Sequence, residues 1–432
     1  MIAVLPLSRH WSLALLVPFA LCAADTSLFD AVQTHDQNAV LGLIRAGADV
    51  NGARADGSTP LLWAAQRDDA GAVSALLRAG ANPNRRDENG ETPLLFAAGN
   101  GNLTIARLLL DARADVNSAR WDGDTPLLAA VNTGNIELVR LLVARGAKVN
   151  LAENRLGQTP LMWACAQGRT AIVKFLIEQS AQVNAASSDG YTPLLFAAQR
   201  GDAASAHALL DAKADPLAKS KDGDTAFLIA LAAGNAVSSG ASVARLMLDY
   251  GADVNARDRT GATPLDEAVR QGKVDLVRDL VKRGADINAR SERPATGRPP
   301  APGAPTDGLT PFLTAAQAGN VSLMKELIAL GADAKMTAPN GAGAVLLAAG
   351  SRKLEAVRMA VELGLDVNQA PKGARTALHI AVRFGAIEMV QYLVGHGADL
   401  KARDNFGRTP LEEAEFEAPP PMIELMRGLT PK

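Results

Sequence analysis

"TPLLWAA", residues 59–65, returns as "TPLLFAA" at 92–98, "TPLMWAC" at 159–165 and "TPLLFAA" at 192–198. The leading positions are Thr26, Thr59, Thr92, Thr125, Thr159, Thr192, Thr225, Thr263 and Thr310, then Gly343 in the same slot, Thr376 and Thr409. The steps between them are 33, 33, 33, 34, 33, 33, 38, 47, 33, 33 and 33. A fixed period of this size is a repeat architecture, in which each unit buries its apolar stripe against the next. The period overrides the reading of 432 residues as about three ordinary domains.

The third unit shows the parts. Thr92 supplies a helix-capping oxygen, and Pro93 stands at the first helical position, where its missing N–H costs nothing. Leu94, Ala97 and Ala98 form a narrow face of small residues, and Gly101 supplies the left-handed stop. In "NLTIARLLLDA", Ile105, Leu108 and Leu109 recur at helical spacing and predict a second helix. "ADVN", 114–117, and "SARWDGD", 118–124, then carry the chain through an Asp122-Gly123 turn to the next Thr-Pro.

From these residues the chain resembles the ankyrin-repeat family, whose signature is Thr-Pro-Leu-His-x-Ala at a period of 33. The resemblance runs over residues 25–432 and is carried by "TPLLWAAQR", "TPLLFAAGNGN", "TPLLAAVNTGN" and "TPLMWACAQGR", with "GADVN" and its variants closing the units. It implies an all-α ankyrin solenoid of about twelve helix-turn-helix units with hairpin-like loops. The array departs from the pattern in places. The family's histidine stands only at His379, and the slot elsewhere holds Leu62, Leu95, Leu128, Met162, Leu195, Leu228, Asp266 and Leu313, predicting apolar packing in its place. The tenth unit, "GAVLLAAGS", lacks both Thr and Pro and predicts a weaker helix start. Arg113, Ser180 and Lys213 replace the glycine that ends the second helix, each at a cost of about 1 kcal/mol if the left-handed conformation is kept.

Before the array, "MIAVLPLSRHWSLALLVPFALCAA" carries Arg9 and His10, an apolar run from Trp11 to Leu21, and small residues. It reads as a signal peptide over 1–24, with no stable membrane insertion after cleavage. Export follows, with the periplasm the first expectation and the extracellular space the second. Removing the leader leaves Cys165 alone of the two cysteines, so no intramolecular disulfide forms. Cys165 fills the slot that Ala65, Ala98 and Ala198 fill in sister units and is expected to be an inert core residue. Terminal units 1 and 12, the latter "TPLEEAEFEAPPPMIELMRGL", are expected to serve as polar caps.

The 44 basic residues balance 46 acidic ones, which argues against nucleic acid as the partner. No phosphate-binding loop, nucleophile elbow or His-Glu-x-x-His pattern occurs, and His35, His207, His379 and His396 are scattered over four units without metal-ligand spacing. Asp266-Glu267 reads as a solvated polar face, because adjacent helix residues diverge by about 100 degrees. No catalytic residue, metal or cofactor is expected, and an enzyme or cofactor carrier stands as the distant alternative.

Binding to a protein partner remains. In the resembled family the first helix lines the concave side, and the fourth position after the Thr reads Trp63, Phe96, Ala129, Trp163, Phe196 and Ile229 through units 2 to 7 before turning polar at Glu267. Gln66, Asn132 and Gln199 belong to a polar border of the kind that surrounds binding hot spots. Two readings stay open for the aromatics: contact with a partner, or filling of grooves between first helices. Trp121 and Phe406 stand at predicted hairpin tips, where a large side chain finds little to pack on. The candidate surface on the concave face and hairpin tips of units 2 to 6 is therefore Trp63, Arg67, Phe96, Asn100, Trp121, Trp163, Gln167, Tyr191, Phe196 and Arg200. A self-associating structural component of the envelope is the alternative. Two insertions, near 236–240 and within 289–308, are expected to be tolerated loops, the second rich in Pro and Gly.

Overall fold

The computed structural model describes residues 23–233, 240–258, 261–291, 308–371 and 375–430. The leader up to residue 22, the heart of the first insertion at 234–239 and that of the second at 292–307 lie outside the described residues. Among those described are 24 α-helices, paired into twelve helix-turn-helix repeats, and only an isolated bridge between Lys219 and Thr225. The chain divides into a unit of four repeats ending at Arg155 and a unit of eight beginning at Leu156.

Most first helices begin for the reason their sequence suggests. Thr92 is extended at φ −118° and ψ 159°, and its hydroxyl accepts the Leu95 N–H at 3.2 Å, so the short helix Pro93–Gly99 is closed at its start. The same cap, with Pro following, recurs at Thr59, Thr125, Thr159, Thr192, Thr263, Thr310 and Thr409. Gly101, at φ +72°, turns the chain, and Asn102 caps the second helix Leu103–Asp111 by accepting the Ile105 N–H at 2.9 Å. Ile105, Ala106 and Leu109 are then fully buried beside Leu94, Ala97 and Ala98, whose small side chains let first helices pack closely. Arg113, Ser180 and Lys213 do take left-handed values, φ +64°, +63° and +70°.

In the tenth repeat Gly343 gives no side-chain cap, as expected of a weak start. Its missing Cβ has a use, because Gln369 Oε1 from the next hairpin occupies the space that a side chain would need. Two polar residues of the histidine slot make the local hydrogen bond. His379 is fully buried, its Nδ1 facing the Thr376 N–H at 3.2 Å and its Nε2 lying 3.0 Å from the Arg408 carbonyl. Asp266 plays the same part: its Oδ2 accepts from the Thr263 N–H and Oγ1, each at 3.0 Å. Asp266 is 4% exposed, which corrects the expectation of a solvated carboxylate pair. Divergence around the helix separates it from Glu267 but does not bring it to the surface.

The last repeat also departs from a simple polar cap. Glu413 has no exposed surface and is paired with Arg375 Nη2 at 2.8 Å and Arg408 Nη1 at 3.3 Å, with Asp404 buried beside them.

Loops are joined by a feature the sequence shows only as a recurring letter. Asn117, the last residue of "ADVN", donates from Nδ2 to the Gly146 carbonyl at 3.1 Å and accepts the Lys148 N–H at 2.8 Å. Asn51, Asn84, Asn184, Asn255 and Asn368 each make the same two bonds, 29 and 31 residues downstream. Asn288 accepts from Asp333 across the second insertion at 2.9 Å. The result is a ladder of side-chain amides that satisfies loop donors and carbonyls which no helix could reach.

Candidate partner-binding surface

In the first unit, Trp63 is half-buried and already engaged. Its indole N–H donates to Ser58 Oγ at 3.1 Å, and its ring meets Phe29 edge to face at 6.4 Å and 89°. The Arg54 guanidinium lies over both rings, 4.4 Å from Phe29 and 4.7 Å from Trp63, and Arg67 approaches Trp63 at 5.8 Å. Trp63 therefore joins repeats 1 and 2 as well as presenting an edge to solvent. Phe96 is half-buried, and exposed Asn100 is spent on the neighbouring repeat, donating to the carbonyls of Ala65 at 3.3 Å and Gln66 at 3.2 Å.

Trp121 is different. Its side chain is 73% exposed, while its backbone is held on both sides. A Cβ on Gly90 would come within 3.3 Å of the Trp121 nitrogen, and Asn154 Nδ2 donates to the Trp121 carbonyl at 3.3 Å. Gly123, at φ +88°, would place a Cβ 2.6 Å from the Asn154 nitrogen, so only glycine allows this approach of neighbouring hairpins.

Beneath Trp121 the Arg120 guanidinium gathers three carboxylates. It donates to Glu91 Oε1 at 2.9 Å, to both oxygens of Asp122 at 3.0 and 2.7 Å, and to Asp124 Oδ2 at 2.7 Å. The hydrogen bonds to Asp122 are the main reason its pKa is raised. Burial pushes the Glu91 and Asp124 carboxyls up; at Asp122 burial is outweighed by the bonds from Arg120 and the Asp124 backbone, which hold it below the usual range. An exposed aromatic thus sits on a hairpin clamped by charge and by backbone contact. Sequence reasoning found Trp121 and missed the clamp, although Glu91 and Asp124 occupy the same slot of adjacent repeats.

In the second unit, Trp163 is half-buried with its indole nitrogen enclosed and without a hydrogen-bond partner. Gln158 stands before Thr159, where the first unit has Ser58 to receive the Trp63 indole. Gln167 is half-buried, and Arg200 is exposed, its Nε 3.2 Å from where a Cβ on Gly168 would lie. Phe196 is 6% exposed, covered by the half-buried Tyr191 at 5.3 Å between ring centroids. The inclusion of Phe196 among contact residues is corrected accordingly: it packs between elements, and Tyr191 is the member of that pair with surface.

Cys165 is fully buried and burial pushes its thiol pKa far up, away from thiolate chemistry. Ser205 Oγ donates to Asp202 at 2.5 Å while His207 pairs with Asp211 at 2.9 Å, two separate local pairs. Among the described residues, no group of three His, Cys, Asp or Glu is placed to hold a metal ion, and no helix is long and apolar enough to cross a membrane.

A family model described as "Ankyrin repeats (3 copies)" matches residues 28–120, 61–153, 127–220, 194–291 and 312–404. Protein phosphatase 1 regulatory subunit 27 of Mus musculus is 44% identical over 48 residues, 11% of this chain and 31% of that protein. An ankyrin repeat-containing protein of Schizosaccharomyces pombe is 49% identical over 45 residues, 10% of this chain and 22% of that one. The chain therefore spans less than a third of the length of these relatives. The ankyrin repeat domain of Bcl-3, described as a unique member of the IkappaB protein family, aligns with 30% identity over 48% of this chain and 93% of that one, at a TM-score of 0.43. With its 33-residue units folded as capped helix pairs and matched along most of their length by that family model, the chain belongs to the ankyrin-repeat family.

Proposed function

We propose that this protein is an exported, non-catalytic scaffold that binds another protein through the first-helix face and hairpin tips of repeats 2 to 6. Ankyrin repeats generally mediate contact between proteins. The observation that carries the assignment to this surface is Trp121: an indole 73% exposed on a backbone that neighbouring hairpins hold still. A pre-positioned aromatic loses little conformational freedom on binding, which is the property of a hot-spot anchor. Trp63, Arg67 and Phe96 belong to the same proposed surface in the first unit, and Trp163, Gln167, Tyr191 and Arg200 are its proposed members in the second. One relative is named a regulatory subunit of a phosphatase, and a role exerted by contact is in keeping with that. The periplasm is the proposed compartment, with the extracellular space second.

Affinity capture from the native compartment with wild-type protein and with Trp121→Ala tests the assignment. The variant should lose the partner while keeping its helical circular dichroism; equal capture by both would sink the site.

A second reading, self-association as a structural component, draws on Phe406 and Phe416, which are 63% and 62% exposed in the closing part of the array. Sedimentation that stays monomeric from micromolar to hundreds of micromolar would remove it.

A further inference from the structure

We infer that the second unit contains two loosely tied loop seams, between repeats 6 and 7 and between repeats 9 and 10, whose closing loops open locally more readily than the loops at its ladder-joined seams. The amide ladder is the observation. Within this unit Asn184, Asn255 and Asn368 each clamp the next loop with a donated and an accepted bond, and Asn288 accepts across its seam. The same slot holds Leu217 at the end of repeat 6 and Lys335 at the end of repeat 9. Leucine offers neither donor nor acceptor, and lysine offers no acceptor, so the downstream amides at Asp253 and Asp366 cannot be received there. Leu217 is instead 53% exposed.

Repeat 10 is weaker at its start as well: Gly343 supplies no side-chain cap and Ala344 stands where most repeats have the Pro that preorganises the first turn, while repeat 7 keeps the Thr225 cap but has Ala226 after it, as repeat 11 has Ala377. Seams 7/8 and 8/9 also carry ion pairs besides the ladder, Arg283 to Asp249 at 2.7 Å and Arg278 to Glu326 at 2.8 Å, which at the surface add little. Across 6/7 and 9/10 the corresponding side-chain links are a 3.4 Å bond from Tyr250 Oη to Asp211 and a 3.1 Å bond from Lys353 Nζ to the Ala318 carbonyl. Lys401 fills the slot in repeat 11, but seam 11/12 is held by the half-buried Arg375 and Arg408 paired with buried Glu413.

Local opening follows the stability of each loop, not of the whole array. The loops closing repeats 7 and 10, which lack the rung, therefore open while the helices beneath them stay packed. Two lost hydrogen bonds correspond to roughly a ten- to thirty-fold shift in an opening equilibrium.

Hydrogen exchange on the full chain, expressed as protection factors, tests this. The amides of 251–253 and 364–366 should be roughly ten- to thirty-fold less protected than those of 284–286 and 397–399. Leu217→Asn and Lys335→Asn should raise protection at the first two sites, each at its own seam. Asn255→Leu, in an otherwise folded protein, should create a new weak site at 284–286. Equal protection at all four sites, or no local response to Leu217→Asn and Lys335→Asn, would overturn the inference.

Discussion

The Nε2 of His379 lies 3.0 Å from the carbonyl oxygen of Arg408, which identifies it as the nitrogen that carries the proton and leaves Nδ1 to accept from Thr376. Burial is the largest influence on this ring and pushes its pKa below the ordinary 6.5; the Arg408 bond and the carboxylates of Asp404 and Glu413 oppose it, and Arg375 reinforces it. The folded value being depressed, the stabilisation is present above 6.5 and is lost as pH falls through the folded value. Protection of repeats 11 and 12 should fall as the pH is lowered below 6.5, and the His379 ring resonance should stay neutral below the midpoint of an exposed histidine. A ring that titrates at 6.5 or above would contradict the arrangement.

Asp266 gives the opposite sign. Burial raises its pKa against the Thr263 bonds and the nearby Arg270 and Arg257, so its contribution is present below 3.8 and is lost as pH rises through the folded value. Asp266→Asn keeps an acceptor oxygen and removes the charge. It should raise the melting temperature at pH 7, and the gap from wild type should close at pH 3.

Trp63 and Trp121 should separate stability from binding. Trp63→Ala removes a ring that bonds Ser58 and packs on Phe29, and should cost about 2–3 kcal/mol in a urea melt of repeats 1 and 2. Trp121→Ala removes a ring that is 73% exposed and should change stability by no more than about 0.5 kcal/mol, while weakening partner binding by about thirty-fold or more.

Cys165 should be silent toward a thiol reagent such as Ellman's in the native protein and react fully once urea unfolds it, since both its burial and its raised pKa oppose thiolate formation. Rapid native labelling would show that repeat 5 opens far more readily than its packing implies.

The helix starts were legible because a cap and a proline act within four residues. Exposure at Trp121 was legible for a similar reason: a hairpin tip has few neighbours whatever the rest of the fold does. Phe196 and Trp63 were not, because their surroundings come from Tyr191 in one case and from Phe29 and Arg54 of the preceding repeat in the other. Asp266 was misread because angular position on a helix gives direction and says nothing of depth. The asparagine of "ADVN" was visible as a repeated letter, but its partners stand 29 and 31 residues away and exist only once loops are stacked.

That asparagine makes the array editable. A deletion spanning 225–342 begins and ends at the seams occupied by Leu217 and Lys335, so it severs no rung of the ladder and returns repeat 6 directly to repeat 10. The same length removed one repeat earlier would cut through the rungs of Asn184 and Asn288. Single residues in one slot thus mark where this chain can be shortened, lengthened or recombined in whole blocks.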